Sequence, residues 1–498
     1  MAFLLAPSRP RASTRRFVGG IVVAVVVLRL GYVVGPLFSD EGGFWLVAKD
    51  WHAGGPNLYG HYFVDRPPLL MALYRLAVLT GWPPTIRLLA TAFAVLLVVS
   101  AAAAAHQFVG SRGVRWAALV AGAFAVTPLV MAQEADGEVF AAPLVMLSVA
   151  LTLAAVRREG RSAFVTAVLA GLAAGAAVMV KQNFGDAVVF AGALLVAMLL
   201  QRRIAPRAAA WVAAGGVLGG GLVVAAALAY VVWSRVAIAT AYQAVFGFRG
   251  TALDVIEDHS LHASLGRALV VAGLAVLCGA LPLLLALVGE TFRCSLRGPP
   301  VAWAVAATAG FESVSIVLGG SYWPHYLLQL APVLALAAGL WAPDAVRVRA
   351  AVVLTVVSAL LATVWVTAGG TAYRNHGAVV GGYLRQLGRP GDTATVLFGN
   401  ADVQQASGMR SPYEYLWTLP MRTLDPRLSG LRAVLRGPHA PTWVVAWSSL
   451  DPWNIDSHDL TRLALATHYR HVSDVCGHAI YLHDGVTRSL AAGPPVCR

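Results

Sequence analysis

Long apolar stretches separated by short polar turns run through this chain as far as residue 368. Most are about 18 to 25 residues, and a helix needs about 20 apolar residues to cross a bilayer. The pattern places them at 17–36, 85–108, 115–132, 138–156, 163–181, 186–201, 208–233, 267–289, 301–318, 325–341 and 350–368. The apolar stretch 67–81 is shorter and carries Arg75, so it reads as a helix lying in the membrane interface. Beyond 369 the pattern changes. Short apolar runs at 394–398, 442–447 and 478–483 have strand character, and 428–436 and 458–467 have helical spacing. The expected architecture is a mainly α polytopic membrane protein of about 11 transmembrane helices over residues 1–369, with a small C-terminal α/β domain over 370–498.

Composition agrees with the pattern. Hydrophobic residues make up 58% and charged ones 12% of the chain, against about a quarter charged in soluble proteins. The net charge of +13 does not point to nucleic acid, because no basic face or recognition motif gathers it. The arginines instead fall in alternate loops: Arg9 to Arg16, Arg112/Arg115, Arg157 to Arg161, Arg202 to Arg207, Arg293/Arg297 and Arg347/Arg349. The opposite loops hold most of the acids, from Asp40 and Glu41 to Glu257 and Asp258. The positive-inside rule then puts the N-terminus in the cytoplasm of a plasma-membrane protein, and an odd number of spans puts 370–498 outside. The start of the chain has the basic and apolar regions of a signal peptide without a small-residue cleavage site, so it reads as a retained first span.

Alanine- and valine-rich spans and the Gly215–Gly221 run suit close helix packing. Cys476 and Cys497 are the only cysteines of the exported segment, where a disulfide is permitted, and the pairing stays open at this point. Cys278 and Cys294 form no metal pattern. Trp443, Trp447 and Trp453 read as core of the small domain, with a sugar-stacking surface as the alternative.

The candidate chemistry gathers on the outer side. Asp40-Glu41 follows the first span, and the first outer loop (37–84) contains Asp65-Arg66-Pro67-Pro68. Lys181 ends another span on the same side. Charges at a membrane surface are costly unless they line a wet cavity or do chemistry. Carboxylates beside separated cations suit a substrate with a phosphate at the surface and a group to be transferred. Lys181 stands out because only Lys49 and Lys181 are lysines.

Ser39-Asp40-Glu41, Tyr59, Asp65-Arg66-Pro67-Pro68-Leu69, Lys181-Gln182 and Tyr322…His325-Tyr326…Gln329…Pro332 occur in an ordered set. Together they resemble the bacterial branch of the dolichyl-phosphate-mannose protein mannosyltransferase superfamily. That superfamily includes the lipid A aminoarabinose transferase and belongs to the GT-C membrane glycosyltransferases. The resemblance covers about 17–368, with a weaker echo beyond. It implies a polyprenyl-phosphate-sugar donor, an envelope glycan, lipid or protein as acceptor, and transfer on the outer face.

Direct displacement at an anomeric carbon needs a base and stabilisation of the departing phosphate. Asp40 is the candidate base. Glu41 would orient it or bind acceptor, unless the pair only marks the interface or caps the next helix. Asp136, between Glu134 and Glu138, aligns with a carboxylate that lies near the catalytic Asp in the family. Arg66 and Lys181 are the candidate phosphate clamps. The family usually has Lys before the Pro pair, and Arg keeps the charge with different geometry. Arg29 could approach the same phosphate or sit in a buried ion pair. Asp65, Tyr59, Glu138, His325 and Tyr326 are assigned to the substrate pocket, and Trp45, Trp51, Tyr59 and Tyr62 also suit interface anchoring. The carboxylates and His325 could hold a divalent cation, although no compact ligand motif marks one.

Two other readings compete. A transporter or flippase of a lipid-linked or anionic solute should show repeated halves and charges near mid-membrane. Here the key charges gather at one surface. A non-catalytic partner in envelope assembly has no need of the Asp40-Glu41 pair.

Overall fold

The structure is a computed structural model and describes residues 11–294, 298–369, 375–448, 455–490 and 493–497. Trp453, Arg9 and Arg297 lie outside the described residues. The helices run α1 (Ala12–Val33), α2 (Ser39–Lys49), α3 (Pro68–Leu79), α4 (Thr85–Phe108), α5 (Ser111–Val126), α6 (Gly137–Ala155), α7 (Gly160–Val180), α8 (Asp186–Leu200) and α9 (Pro206–Trp233). They continue with α10 (Ile238–Tyr242), α11 (Phe248–Leu277), α12 (Ala280–Cys294), α13 (Pro300–Leu318), a 3-10 turn Pro324–Leu330, α14 (Ala331–Trp341) and α15 (Val346–Ala368). Among the described residues, eight helices are long and apolar enough to cross a membrane, or nine if one bent pair over 238–277 counts as a single span.

The helix ends follow local chemistry. Proline opens α3, α9 and α13, where its missing N–H costs nothing. The stretch expected at 115–132 ends early, at Val126, because Thr127 before Pro128 takes an extended conformation. The expected span 267–289 is two helices. Gly279, at φ +79°, breaks it, and α12 starts immediately after. Arg267 donates to the Ser321 carbonyl at 2.6 Å, Gly279 packs on Thr355 midway along α15, and Arg293 shares a groove with Arg347. The two pieces therefore descend the bundle in succession. The glycine run does what its composition suggests. A Cβ on Gly171 would lie 2.0 Å from the Gly216 carbonyl, and one on Gly219 would lie 2.1 Å from the Val168 carbonyl, so α7 and α9 touch backbone to backbone.

After α15 come α16 (His376–Leu387), β1 (Ala394–Leu397), α17 (Ala401–Ser407), α18 (Thr418–Leu424), α19 (Ser429–Arg436), β2 (Trp443–Ala446), α20 (Leu460–His468), β3 (Tyr469–Val475) and β4 (His478–His483). The sheet order is β1-β2-β4-β3, parallel between β1 and β2 and antiparallel elsewhere. β3 is absent from the sequence expectation. It is a polar edge strand, and a register shift between His471 and Ser473 breaks the alternation that would betray it. Trp443 is fully buried in the sheet core, and Trp447 stacks on His478. Cys476 and Cys497 form a disulfide.

The C-terminal segment lies on α2. Asn375 donates to the Leu37 carbonyl at 2.9 Å, and the Phe63 N–H donates to the Glu414 carbonyl at 3.1 Å. A Cβ on Gly42 would meet the Asp402 Cα at 2.8 Å. The first turn of α2 is thus enclosed between the bundle and the sheet-bearing segment.

Candidate active site

Asp40 and Glu41 occupy the first turn of α2, where negative charge suits the helix dipole. Adjacent helical residues point about 100° apart, and here they go separate ways. Glu41 turns inward and is completely buried. Arg87 donates to it twice, Nε to Oε1 at 2.9 Å and Nη2 to Oε2 at 2.6 Å. The N–H groups of Phe38 and Ala135 each add a bond at 2.9 Å. Two donors on each oxygen leave no room for an acceptor molecule. Asp40 turns outward and is half-buried. Trp417 Nε1 donates to its Oδ1 at 2.9 Å, and among the described residues Oδ2 has no hydrogen-bond partner.

Beyond Asp40 lies a layer of paired charges. Asp65 bonds Arg66 at 2.6 Å and Arg249 at 2.7 Å. Burial pushes its carboxyl up, but Arg249 and Arg66 outweigh burial and hold it below the usual value. The Arg66 guanidinium also lies 5.5 Å from the Phe44 ring centre. Lys181, where α7 ends, pairs with Glu138 on the first turn of α6 and sits 4.9 Å from the Tyr326 ring centre. His325, on the 3-10 turn, lies between two acids: Nδ1 is 3.2 Å from Asp136 and Nε2 is 3.6 Å from Glu138.

Asp136 is buried, and among the described residues its carboxylate oxygens have no hydrogen-bond partner, the 3.2 Å approach of His325 being out of alignment for one. Burial, with the charges of Asp40 and Glu138, raises its pKa well above the ordinary value. Glu134 is raised in the same way by burial and by Asp136. In both, the neutral, proton-bearing form is favoured. Among the described residues no three of the His, Cys, Asp and Glu side chains are placed to hold a metal ion.

The structure thus brings Asp40, Asp65, Arg66, Asp136, Glu138, Lys181, His325 and Tyr326 to one end of the bundle. It sets others apart. Tyr59 does not line the pocket: its ring is packed on Trp51 and Tyr230, and its hydroxyl donates to the Arg66 carbonyl at 2.7 Å. It holds the loop that presents Arg66. Nor are Trp45 and Tyr62 free to anchor in lipid, whereas Trp51 stays partly exposed. Trp45 and Tyr62 are buried in protein, and the Tyr62 hydroxyl accepts from the Ser411 N–H. Among the described residues Arg29 pairs with no acid, and it does not reach the cations; it donates to the carbonyls of Ala125 and Ala132 at 2.7 and 2.6 Å. Arg87, Arg249 and Trp417 are the participants the sequence reading lacks. Arg87 had a signal, a cation within an apolar span, which needs a partner. Arg249 and Trp417 had none.

No family model matches the chain, and no curated protein matches its sequence. Solved structures match across most of its length. ArnT from Cupriavidus metallidurans bound to undecaprenyl phosphate superposes with a TM-score of 0.60 at 16% identity, covering 96% of this chain and 99% of that one. Its apo form gives 0.61 at 17% identity over 94% and 98%. The oligosaccharyltransferase of Archaeoglobus fulgidus, in complex with Zn and sulfate, gives 0.55 at 12% identity over 93% and 73%. This chain has the GT-C fold. The match to ArnT runs past α15 and takes in most of the C-terminal segment, so the GT-C likeness is wider here than the motifs of 17–368 implied.

Proposed function

We propose that the protein is a membrane glycosyltransferase that moves a sugar from a polyprenyl-phosphate donor to an envelope glycan, lipid or protein on the outer face of the plasma membrane. The solved structures of this fold support that donor class, since ArnT is seen with undecaprenyl phosphate and the Archaeoglobus fulgidus AglB with a dolichol-phosphate and an inhibitory peptide. One observation carries the reading. A carboxylate with an open oxygen, Asp40, shares one end of the bundle with three cations, Arg66, Arg249 and Lys181, and acts electrostatically on Arg66.

In this mechanism the acceptor hydroxyl attacks the anomeric carbon and its proton passes to Asp40 Oδ2. The bond from that carbon to the phosphate oxygen breaks, and the phosphate leaves with the electron pair. Backside attack inverts the anomeric centre. Arg66, Lys181 and Arg249 meet the phosphate, whose charge rises as it departs, so their attraction strengthens in the transition state. Asp136 in its neutral form donates a hydrogen bond to the sugar or phosphate, and His325 and Tyr326 complete the wall. Glu41 and Tyr59 act as positioning residues.

The test is transfer from a panel of radiolabelled undecaprenyl-phosphate pentoses, hexoses and aminopentoses to membrane extracts. Wild type should label an acceptor. Asp40→Asn keeps the shape and removes the base, so turnover should fall roughly a hundredfold or more. Near-normal turnover by a folded Asp40→Asn protein would reject the assignment of the base. Labelling independent of the protein would reject the function.

A further inference from the structure

We propose that Trp417 is a positioning residue for Asp40: the C-terminal segment supplies an indole N–H that aims the base. This rests on the reading of Asp40 as the base given above. The indole donates to Oδ1 at 2.9 Å from 377 positions away in the sequence. A carboxylate on a first helical turn is otherwise free to rotate about two side-chain bonds. Fixing one oxygen fixes the plane of the group, and Oδ2 is then the atom left to take the acceptor's proton. Catalysis is sensitive to such aim, since a misplacement of about 1 Å can cost about a hundredfold.

The indole is itself held from several sides. Below it, Gly43 leaves the space it fills: a Cβ there would lie 2.1 Å from Cζ2 and 2.6 Å from Cη2 of Trp417. Beside it, the Phe44 ring stands 5.6 Å away. Behind it, residues 411–417 are tied to the first loop. The Ser411 N–H donates to the Tyr62 hydroxyl at 2.9 Å, and Asn57 donates to the Glu414 carboxylate at 2.8 Å. The residue that touches Asp40 is therefore pre-set by contacts that do not involve substrate, as an aiming group should be.

Trp417→Phe keeps an aromatic ring over Gly43 and removes the N–H. With the undecaprenyl-phosphate sugar that wild type uses, kcat should fall roughly tenfold, short of the hundredfold that gross misplacement costs. KM and the affinity for undecaprenyl phosphate itself should stay within about twofold, because no binding contact is lost. In an Asp40→Asn background the same substitution should change turnover less than about twofold, since there is no base left to aim. Gly43→Ala, which pushes the indole away without altering it, should reproduce the kcat loss and serves if Trp417→Phe folds poorly. Wild-type kcat in both variants overturns the proposal. So does an equal loss with Asp40 intact and in the Asp40→Asn background, which marks a structural role only. Normal turnover by Asp40→Asn sinks the base assignment instead, so the two failures are told apart.

Discussion

Glu41→Gln should be among the most damaging one-atom exchanges available in this protein. Each Glu41 oxygen accepts two N–H donors: Oε1 from Arg87 Nε and Ala135, Oε2 from Arg87 Nη2 and Phe38. Whichever way the glutamine amide is turned, its NH2 faces one guanidinium N–H and one backbone N–H. Two hydrogen bonds are lost and donors oppose donors. Arg87 is then left charged, with side-chain exposure of 3% and, among the described residues, no other carboxylate in ion-pair contact. Removing one partner of a buried ion pair costs about 3–5 kcal/mol. The three carbonyls that also bind Arg87, those of Tyr32, Gly35 and Pro36, soften this without supplying charge. We expect a loss of roughly 3 kcal/mol, the lower end of that range.

The assay is equilibrium unfolding in mixed micelles with rising SDS, comparing wild type, Glu41→Gln, Arg87→Met and Glu41→Met/Arg87→Met. Both single variants should unfold early. The double variant should be the milder loss, because replacing a whole buried pair by apolar groups is often near neutral. A Glu41→Gln protein within about 0.5 kcal/mol of wild type, the range of surface substitutions, would refute the reasoning. Turnover gives a second check. Per folded molecule, Glu41→Gln should lose less activity than Asp40→Asn, because it removes support and not the base.

Lys181→Met and Arg66→Met should each weaken undecaprenyl phosphate binding and lower turnover, with Lys181→Arg retaining part of both; unchanged affinity in both Met variants, measured on purified protein, leaves the clamp unsupported. Asp402 is buried under Gly42, and burial raises its pKa from 3.8 to about 6. The folded state then holds a proton that the unfolded chain releases, so stability falls as pH rises from about 4 to about 6 and is flat above. Asp402→Asn should flatten that slope and stabilise the protein at neutral pH by roughly 1–3 kcal/mol, at about 1.4 kcal/mol per pKa unit; an unchanged melting profile from pH 4 to 7 contradicts it. Single cysteines in the 50–60 loop and on α19 should react with a membrane-impermeant reagent in intact cells; reaction only after permeabilisation reverses the proposed orientation.

What the sequence made legible was local. Apolar runs, the Gly215–Gly221 stretch and the charged motifs each report on a few consecutive residues, and lipid imposes a simple rule on such runs. The bundle, the small sheet and the residues at its charged end follow from that. What stayed hidden was pairing at a distance. Arg87 finds Glu41 across 46 positions, and Arg249 finds Asp65 across the bundle. Tyr59 looked like a pocket residue by its place in a motif, yet its role depends on Trp51 and Tyr230 covering it. The break at Gly279 was invisible because glycine is common in packed membrane helices and only its positive φ distinguishes it.

The run Asp40-Glu41-Gly42-Gly43 shows how a short segment can specify a site through four directions. A glycine costs a helix about 1 kcal/mol relative to alanine, so two of them early in an 11-residue helix are locally unfavourable. Their positions explain the choice. Glu41 faces the bundle and binds Arg87, Gly42 faces Asp402, Gly43 faces the Trp417 ring, and Asp40 turns outward with one oxygen on the indole and the other open. A side chain at 42 would press on the backbone at Asp402, and one at 43 would push the indole away from Asp40. The helix gives up intrinsic stability so that tertiary contacts on three sides set the direction of the fourth. An acidic pair alone is common at membrane surfaces; an acidic pair followed by two bare backbone positions is a carboxylate prepared to be gripped from behind.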